Sequence, residues 1–221
     1  MPRSKKIKLY FISGLGANEK AFQYLNFGEE VDPIFIPWLI PIKGETYLEY
    51  CHRMAKGIDA SEDFILLGYS FGGLLVQSIN AFMPAKKVIV LGSLKPEDQK
   101  SLFLKFNSWL KLYQVIPQSW LQRKELFCFI VFGKLKDPRM DQVMEYFTMN
   151  HPYYLKWSID KILHWKAEKK QNVIQILADK DFIFPLKNAH PEYVIANATH
   201  LFPVTKALQV SKILQSIFKD L

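Results

Sequence analysis

Ser70 stands in the run Gly68-Tyr69-Ser70-Phe71-Gly72, a pattern in which a hydroxyl can serve as a nucleophile. To meet a carbonyl, such a serine must project from a very sharp strand-to-helix turn. Only small residues two positions before and two after it let strand and helix approach that closely, and Gly68 and Gly72 provide them. A hydroxyl also needs a base, and the base needs a carboxylate to orient it. The chain holds five histidines, His52, His151, His164, His190 and His200.

Which of these can reach Ser70 depends on the elements around them. Phe64-Ile65-Leu66-Leu67, just before the motif, is a continuous apolar run, as expected of a strand covered on both faces. After Ser70 a helix is expected from about Phe71 to Phe82, ending before Pro84. Upstream, Lys5 to Ser13 reads as a strand that stops at Gly14-Leu15-Gly16, followed by a helix over about Glu19 to Asn26. A short strand, Ile34 to Ile36, lies between Pro33 and Pro37, and Thr46 with Glu49 forms a capping box that opens a helix running to about Lys56, with Gly57 as its stop. Lys87 to Leu91, Val173 to Leu177 and Tyr193 to Ile195 read as further strands. The terminal helix carries Val210, Ile213, Leu214, Ile217 and Phe218 as one apolar stripe. Alternation of this kind predicts an α/β fold, a mostly parallel sheet with helices on both faces.

In an open parallel sheet, reactive groups gather at the C-terminal ends of the strands. His200 follows the last expected strand and so lies at the correct end, whereas His190 precedes that strand and belongs at the other. His52 falls within a helix, and His151 and His164 fall in the irregular middle of the chain; all three read as packed or solvated. His200 is the expected base. For the acid, Ala178-Asp179-Lys180-Asp181 follows the penultimate strand. Asp181 opens a turn, Asp181 to Pro185, that can carry a carboxylate toward the histidine. Asp179 is the other candidate, or else a turn-forming residue that bonds its own backbone.

Between about Pro96 and Lys170 the alternation breaks. This stretch is basic and aromatic, with Trp109, Trp120, Trp157 and Trp165, and its patterning is mostly helical. It reads as a helical cap (96–170) inserted into a core made of 1–95 and 171–221. Most of its tryptophans are expected to pack the cap itself, with some lining an apolar pocket above Ser70.

Composition closes off several classes. Of 221 residues, 49% are hydrophobic and 23% charged, which excludes wholesale disorder. No apolar run approaches the roughly 20 residues of a membrane-spanning helix. Cys51 and Cys128 are too few to staple the domain, no Cys/His spacing suggests zinc, and no secretory pattern follows the basic N-terminus, so a cytoplasmic protein is expected. The net charge of +8 raises the possibility of nucleic-acid binding, but the lysines are scattered and no recognition motif accompanies them. Lys5-Lys6, Lys86-Lys87 and Lys169-Lys170 read as solvated surface. A narrower reading is that basic residues around the cap attract an anionic acyl carrier, such as an acyl thioester on a phosphopantetheine arm.

Ser13-Gly14-Leu15-Gly16 after the first strand, the Ser70 elbow, the Asp181-to-Pro185 segment and His200 before the final helix together resemble the α/β-hydrolases. The resemblance covers nearly the whole chain outside the cap. It implies a sheet of about six strands that begins at the usual third strand, and an oxyanion hole made by the backbone N–H groups of Leu15 and Phe71. It further implies hydrolysis of a small-molecule carboxylic ester or thioester through an acyl-serine intermediate, with no metal or organic cofactor. Ser13 stands where a histidine often precedes the loop glycine, but the donors of that loop are backbone groups and survive the change. Ala178 replaces a frequent glycine, and a serine rather than an aspartate nucleophile points away from dehalogenase and epoxide-hydrolase chemistry. Two further readings keep the scaffold: the same triad used for C–C bond hydrolysis or lyase chemistry, and a non-catalytic binding protein. Retention of all three polar groups argues against the latter.

Overall fold

The computed structural model describes residues 6–95, 140–166 and 173–221. The apolar runs become β1 (Ile7–Ile12), β2 (Val31–Phe35), β3 (Phe64–Tyr69), β4 (Lys87–Leu91), β5 (Val173–Ala178) and β6 (Tyr193–Ile195). They form one six-stranded sheet in the order β2-β1-β3-β4-β5-β6. Every neighbouring pair is parallel. β3 lies inside the sheet with all its residues buried, which is why its sequence shows no polar alternation.

Among the described residues the helices are α1 (Tyr47–Met54), α2 (Phe71–Phe82), α3 (Met140–Met144), α4 (Pro152–His164), α5 (Phe202–Thr205) and α6 (Ala207–Lys219). α1 begins with the expected capping box: Glu49 N–H donates to Thr46 Oγ1 at 3.2 Å, and Thr46 N–H to the Glu49 carboxylate at 2.8 Å. α2 packs across β1, β3 and β4, with α1 beside it. Val210, Leu214, Ile217 and Phe218 of α6 are buried as one stripe, with Ile213 half-buried at its margin. Among the described residues, no helix is long and apolar enough to cross a membrane.

Three local expectations are corrected. The helix over Glu19 to Asn26 is only a 3-10 turn, Glu19–Phe22. Beyond it the backbone turns to tertiary partners: Asn26 N–H donates to Ser211 Oγ at 2.9 Å, and Asn26 C=O accepts from Gln215 Nε2 at 3.0 Å, both on α6. The second strand starts at Val31 and runs through Pro33 rather than beginning after it. A proline is tolerated there because β2 is an edge strand. Lys87, read as solvated surface, donates from Nζ to the carbonyls of Ile217 and Asp220 at 3.1 and 3.2 Å, where a cation suits a helix C-terminus.

Between β4 and β5 in sequence, the described residues form α3 and α4. Trp157 and Trp165 are buried against α1 and α2. Trp157 packs on Tyr50 with ring centroids 4.6 Å apart, and Trp165 Nε1 donates to Ser78 Oγ at 3.1 Å. Trp109, Trp120, Cys128 and Lys169-Lys170 lie outside the described residues.

Cys51 on α1 has no exposed surface, and burial pushes its thiol up to about 12. In mildly alkaline buffer, iodoacetamide is therefore expected to leave Cys51 unmodified in the native protein and to alkylate it after unfolding in urea. Peptide mass mapping of both samples reads the result. Native-state alkylation at the rate of a free thiol would contradict this burial.

Candidate active site

β3 delivers Ser70 into the turn before α2 with φ 54° and ψ −120°, a left-handed conformation that a residue with a side chain adopts only under constraint. The constraint is visible on both sides. Ser70 N–H donates to Leu91 C=O at the end of β4 (2.8 Å), and Gly73 N–H donates to Ser70 C=O (3.0 Å). A Cβ on Gly68 would fall 2.5 Å from Gly73 N, and one on Gly72 would overlap the carbonyl oxygens of Ile12 and Ser13. Backbone occupies both places, so neither clash can be relieved by a side-chain rotation. Gly73, which the sequence reading passed over, is equally fixed, since a Cβ there would overlap the Ser93 side chain.

His200 follows β6, and Asp181 follows β5, so both reach the same end of the sheet as Ser70. His200 Nε2 lies 2.9 Å from Ser70 Oγ, and His200 Nδ1 lies 2.7 Å from Asp181 Oδ2. The network assigns the tautomer: Nδ1–H donates to the carboxylate, leaving Nε2 to accept from the hydroxyl. Asp181 has a fully buried side chain, and a buried carboxylate needs partners for both oxygens. Its Oδ1 accepts from Ile183 N–H at 2.8 Å and Phe184 N–H at 3.0 Å, so the carboxylate is held independently of the histidine.

The imidazole is clamped by packing as well. The Tyr69 ring stacks on it at 5.3 Å and 28°, Phe184 leans on it at 5.6 Å, and the Tyr69 hydroxyl donates to His200 C=O at 2.9 Å. Gly92 closes the remaining side. It has φ +51°, and a Cβ there would sit 3.3 Å from His200 Nδ1.

Asp179 does something the sequence reading missed. It is neither beside His200 Nδ1 nor a simple turn former: its carboxylate accepts from Asn197 N–H at 2.9 Å and Ala198 N–H at 3.1 Å. These donors hold its carboxyl below the usual range. They also tie the end of β5 to the loop that carries His200. The other histidines lie elsewhere: His52 is exposed on α1 against Phe82, His151 is exposed at the head of α4, His164 is exposed beside Asp160, and His190 is exposed before β6.

Leu15 sits in the loop after β1. That loop touches the elbow directly, since a Cβ on Gly14 would meet Ser70 Cβ at 3.3 Å. Phe71 is the first residue of α2, where helix geometry leaves its N–H without an intrahelical partner. Ser13, in place of a more usual histidine, is fully buried, and its hydroxyl has no partner among the described residues. Support for the loop comes instead from Trp38 and Tyr154, which no local pattern identified: Trp38 Nε1 donates to Gly14 C=O at 2.9 Å, and Gly16 N–H donates to the Tyr154 hydroxyl at 3.1 Å. Among the described residues, no group of three or more His, Cys, Asp or Glu side chains could hold a metal ion. A hydroxyl, an imidazole and a buried carboxylate in hydrogen-bonded series can carry out acyl transfer.

No protein-family model and no curated protein matches the sequence. Solved structures do match over nearly the whole chain. An esterase from Thermogutta terrifontis is similar at 11% identity and a TM-score of 0.67, covering 98% of this chain and 91% of that one. A lipase-esterase related protein from Clostridium acetobutylicum is similar at 18% identity and a TM-score of 0.59, covering 95% and 93%. A bacterial membrane phospholipase A matches at 14% identity and a TM-score of 0.69, covering 98% and 79%. At such identities the likeness establishes architecture: the chain has the α/β-hydrolase fold.

Proposed function

We propose that this α/β-hydrolase-fold protein is a serine hydrolase that cleaves small-molecule carboxylic esters or thioesters through an acyl-enzyme intermediate. The observation that carries the reading is the series Ser70–His200–Asp181, with hydrogen bonds of 2.9 and 2.7 Å, set on a strained elbow. That esterase, lipase-related and phospholipase structures share the fold agrees with an ester substrate.

In the reaction, Ser70 Oγ attacks the acyl carbon while His200 Nε2 takes the hydroxyl proton. Asp181 holds the imidazole by Nδ1 and stabilises the imidazolium as it forms. The carbonyl oxygen, now an oxyanion, is met by the N–H groups of Leu15 and Phe71, donors that typically contribute about 2.7–4 kcal/mol each in such sites. His200 then returns the proton to the departing alkoxide or thiolate, and the acyl-serine remains. Water, deprotonated by His200, repeats the attack and releases the acid. In the same reading, residues 96–170 cap the core of 1–95 and 171–221. Basic residues of the cap then attract an anionic acyl carrier when the acyl group arrives as a thioester.

A fluorophosphonate probe tests the proposal, because it is attacked by an activated serine and stays attached to it. The expected result is one covalent adduct per chain, mapped by peptide mass spectrometry to Ser70 and absent from heat-unfolded protein. An adduct on another residue, or none on folded protein that a small unhindered probe also fails to label, would overturn it.

A further inference from the structure

In a peptide chain, the C=O of one residue and the N–H of the next belong to one rigid planar group. The N–H of Leu15 is therefore the other side of the Gly14 carbonyl, and whatever holds that carbonyl also aims the N–H. Trp38 holds it: its indole N–H donates to Gly14 C=O at 2.9 Å from a position only 6% exposed. The next peptide group, joining Leu15 to Gly16, is held by Tyr154, whose hydroxyl accepts from Gly16 N–H at 3.1 Å and whose side chain has no exposed surface. Both peptide planes that flank Leu15 are thus fixed by buried side chains from outside the loop.

The two aromatic rings are linked to each other and to the elbow. Trp38 stacks flat on Phe71, with centroids 5.0 Å apart and planes 8° apart, and Tyr154 leans on Trp38 at 5.8 Å. Main-chain bonds extend the attachment. Asn18 N–H donates to Tyr146 C=O at 2.7 Å, Met149 N–H donates to Gly16 C=O at 3.0 Å, and Ala17 forms an antiparallel bridge with Phe147. Gly16 has φ +68°, and a Cβ there would fall 2.7 Å from Met149 C=O. The shape of the 14–18 loop is therefore set by the segment 146–154, which lies between β4 and β5 in sequence.

We infer that Trp38 and Tyr154 are positioning residues that aim the Leu15 N–H at the reacting oxygen, so that the segment bearing Tyr154 is part of the oxyanion machinery. The inference rests on the serine-hydrolase reading. Trp38 acts by orienting the peptide and also by polarising it, since a donor on the carbonyl makes the N–H of the same group a better donor. Tyr154 acts by preventing rotation of the neighbouring plane. Neither touches substrate.

The test uses Trp38→Phe and Tyr154→Phe, which keep the rings and remove the indole N–H or the hydroxyl. Because an ångström of misplacement at a reacting centre can cost about 10²-fold, each variant is expected to lose about 10- to 100-fold in kcat while KM stays within about threefold. A trifluoromethyl ketone inhibitor reports the oxyanion directly. Ser70 Oγ bonds to its carbonyl carbon, the proton passes to His200, and the former carbonyl oxygen carries the charge. Its affinity is expected to fall by the same factor as kcat/KM. Tyr193→Phe, on the edge strand β6, is expected to behave as wild type. Unchanged kcat in both variants, or a lower melting temperature and kcat with undiminished ketone affinity, would overturn the inference and leave the hydrolase reading standing. If Trp38→Phe fails to fold, the closer isostere Tyr154→Phe decides the matter. Wild-type protein that neither hydrolyses esters nor binds the ketone would instead remove the hydrolase reading itself.

Discussion

Ser70→Ala is expected to lower kcat for a p-nitrophenyl ester by about 10⁶-fold, the scale on which loss of a catalytic serine acts in triad enzymes. Alanine keeps the Cβ that Gly14 packs against and leaves the Leu91 and Gly73 hydrogen bonds in place, so the loss is chemical rather than structural. On the proposed mechanism, the residual rate should be that of a site that still binds and still offers the Leu15 and Phe71 N–H groups. A companion variant separates chemistry from strain. Ser70→Gly should be equally inactive but more stable, because glycine accepts φ 54° without the roughly 1–3 kcal/mol that a side chain costs there. Turnover and thermal melts of both variants check this. Activity of Ser70→Ala within tenfold of wild type would place the nucleophile elsewhere.

Asp181→Asn is expected to cost about 10⁴-fold in kcat with the fold unchanged. The amide oxygen can still accept from Ile183 and Phe184, which leaves the NH₂ group facing His200 Nδ1. The imidazole must then carry its proton on Nε2, where it can no longer accept from Ser70. Asp179→Asn provides the contrast. Its bond to Asn197 is exposed and its bond to Ala198 part-buried. Bonds to a charged group contribute about 1.5–3 kcal/mol each, and asparagine keeps one of the two acceptors, so the loss in kcat should stay under about tenfold and appear together with a lower melting temperature. The reverse ranking would make Asp179 the acid. Steady-state kinetics and melts of the two variants are sufficient.

The contrast between these aspartates shows what could be read from the sequence and what could not. Gly68, Ser70 and Gly72 stand within a few residues of a strand and a helix whose patterns were plain, and the rule about strand ends then singled out Asp181 and His200. Those inferences need only local pattern and chain direction. Asp179 could be placed at the right end of the sheet by the same rule, but its partners lie eighteen and nineteen residues further on. The inner strands β3 and β4 were legible for the same reason, since strands covered on both faces are mostly apolar, whereas the exposed Asp32 and Pro33 hid the start of the edge strand β2. The Glu19–Asn26 helix was misjudged because Ser211 and Gln215 capture the backbone there, and no window around residue 26 contains them. Tyr154 is separated from Gly16 by 138 residues, and Trp38 from Gly14 by 24. Neither stands in a local pattern that points to the loop after β1. Gly92 did carry a signal, as a glycine immediately after an apolar strand, which marks a place where another group comes close.

The sheet's two margins bear on how the chain behaves in company. Among the described residues the six-stranded sheet does not close and ends in β2 and β6, and unpaired strand edges invite pairing between molecules. On one side β2 carries exposed Asp32 and Pro33 at its centre, which set a charge and a missing N–H where a foreign strand would dock. On the other, β6 is only three residues long. Both margins are poor templates, so copies crowded together at high concentration gain little by stacking strand on strand, and the chain can keep a long, wholly apolar β3 without that run becoming a seed for fibres.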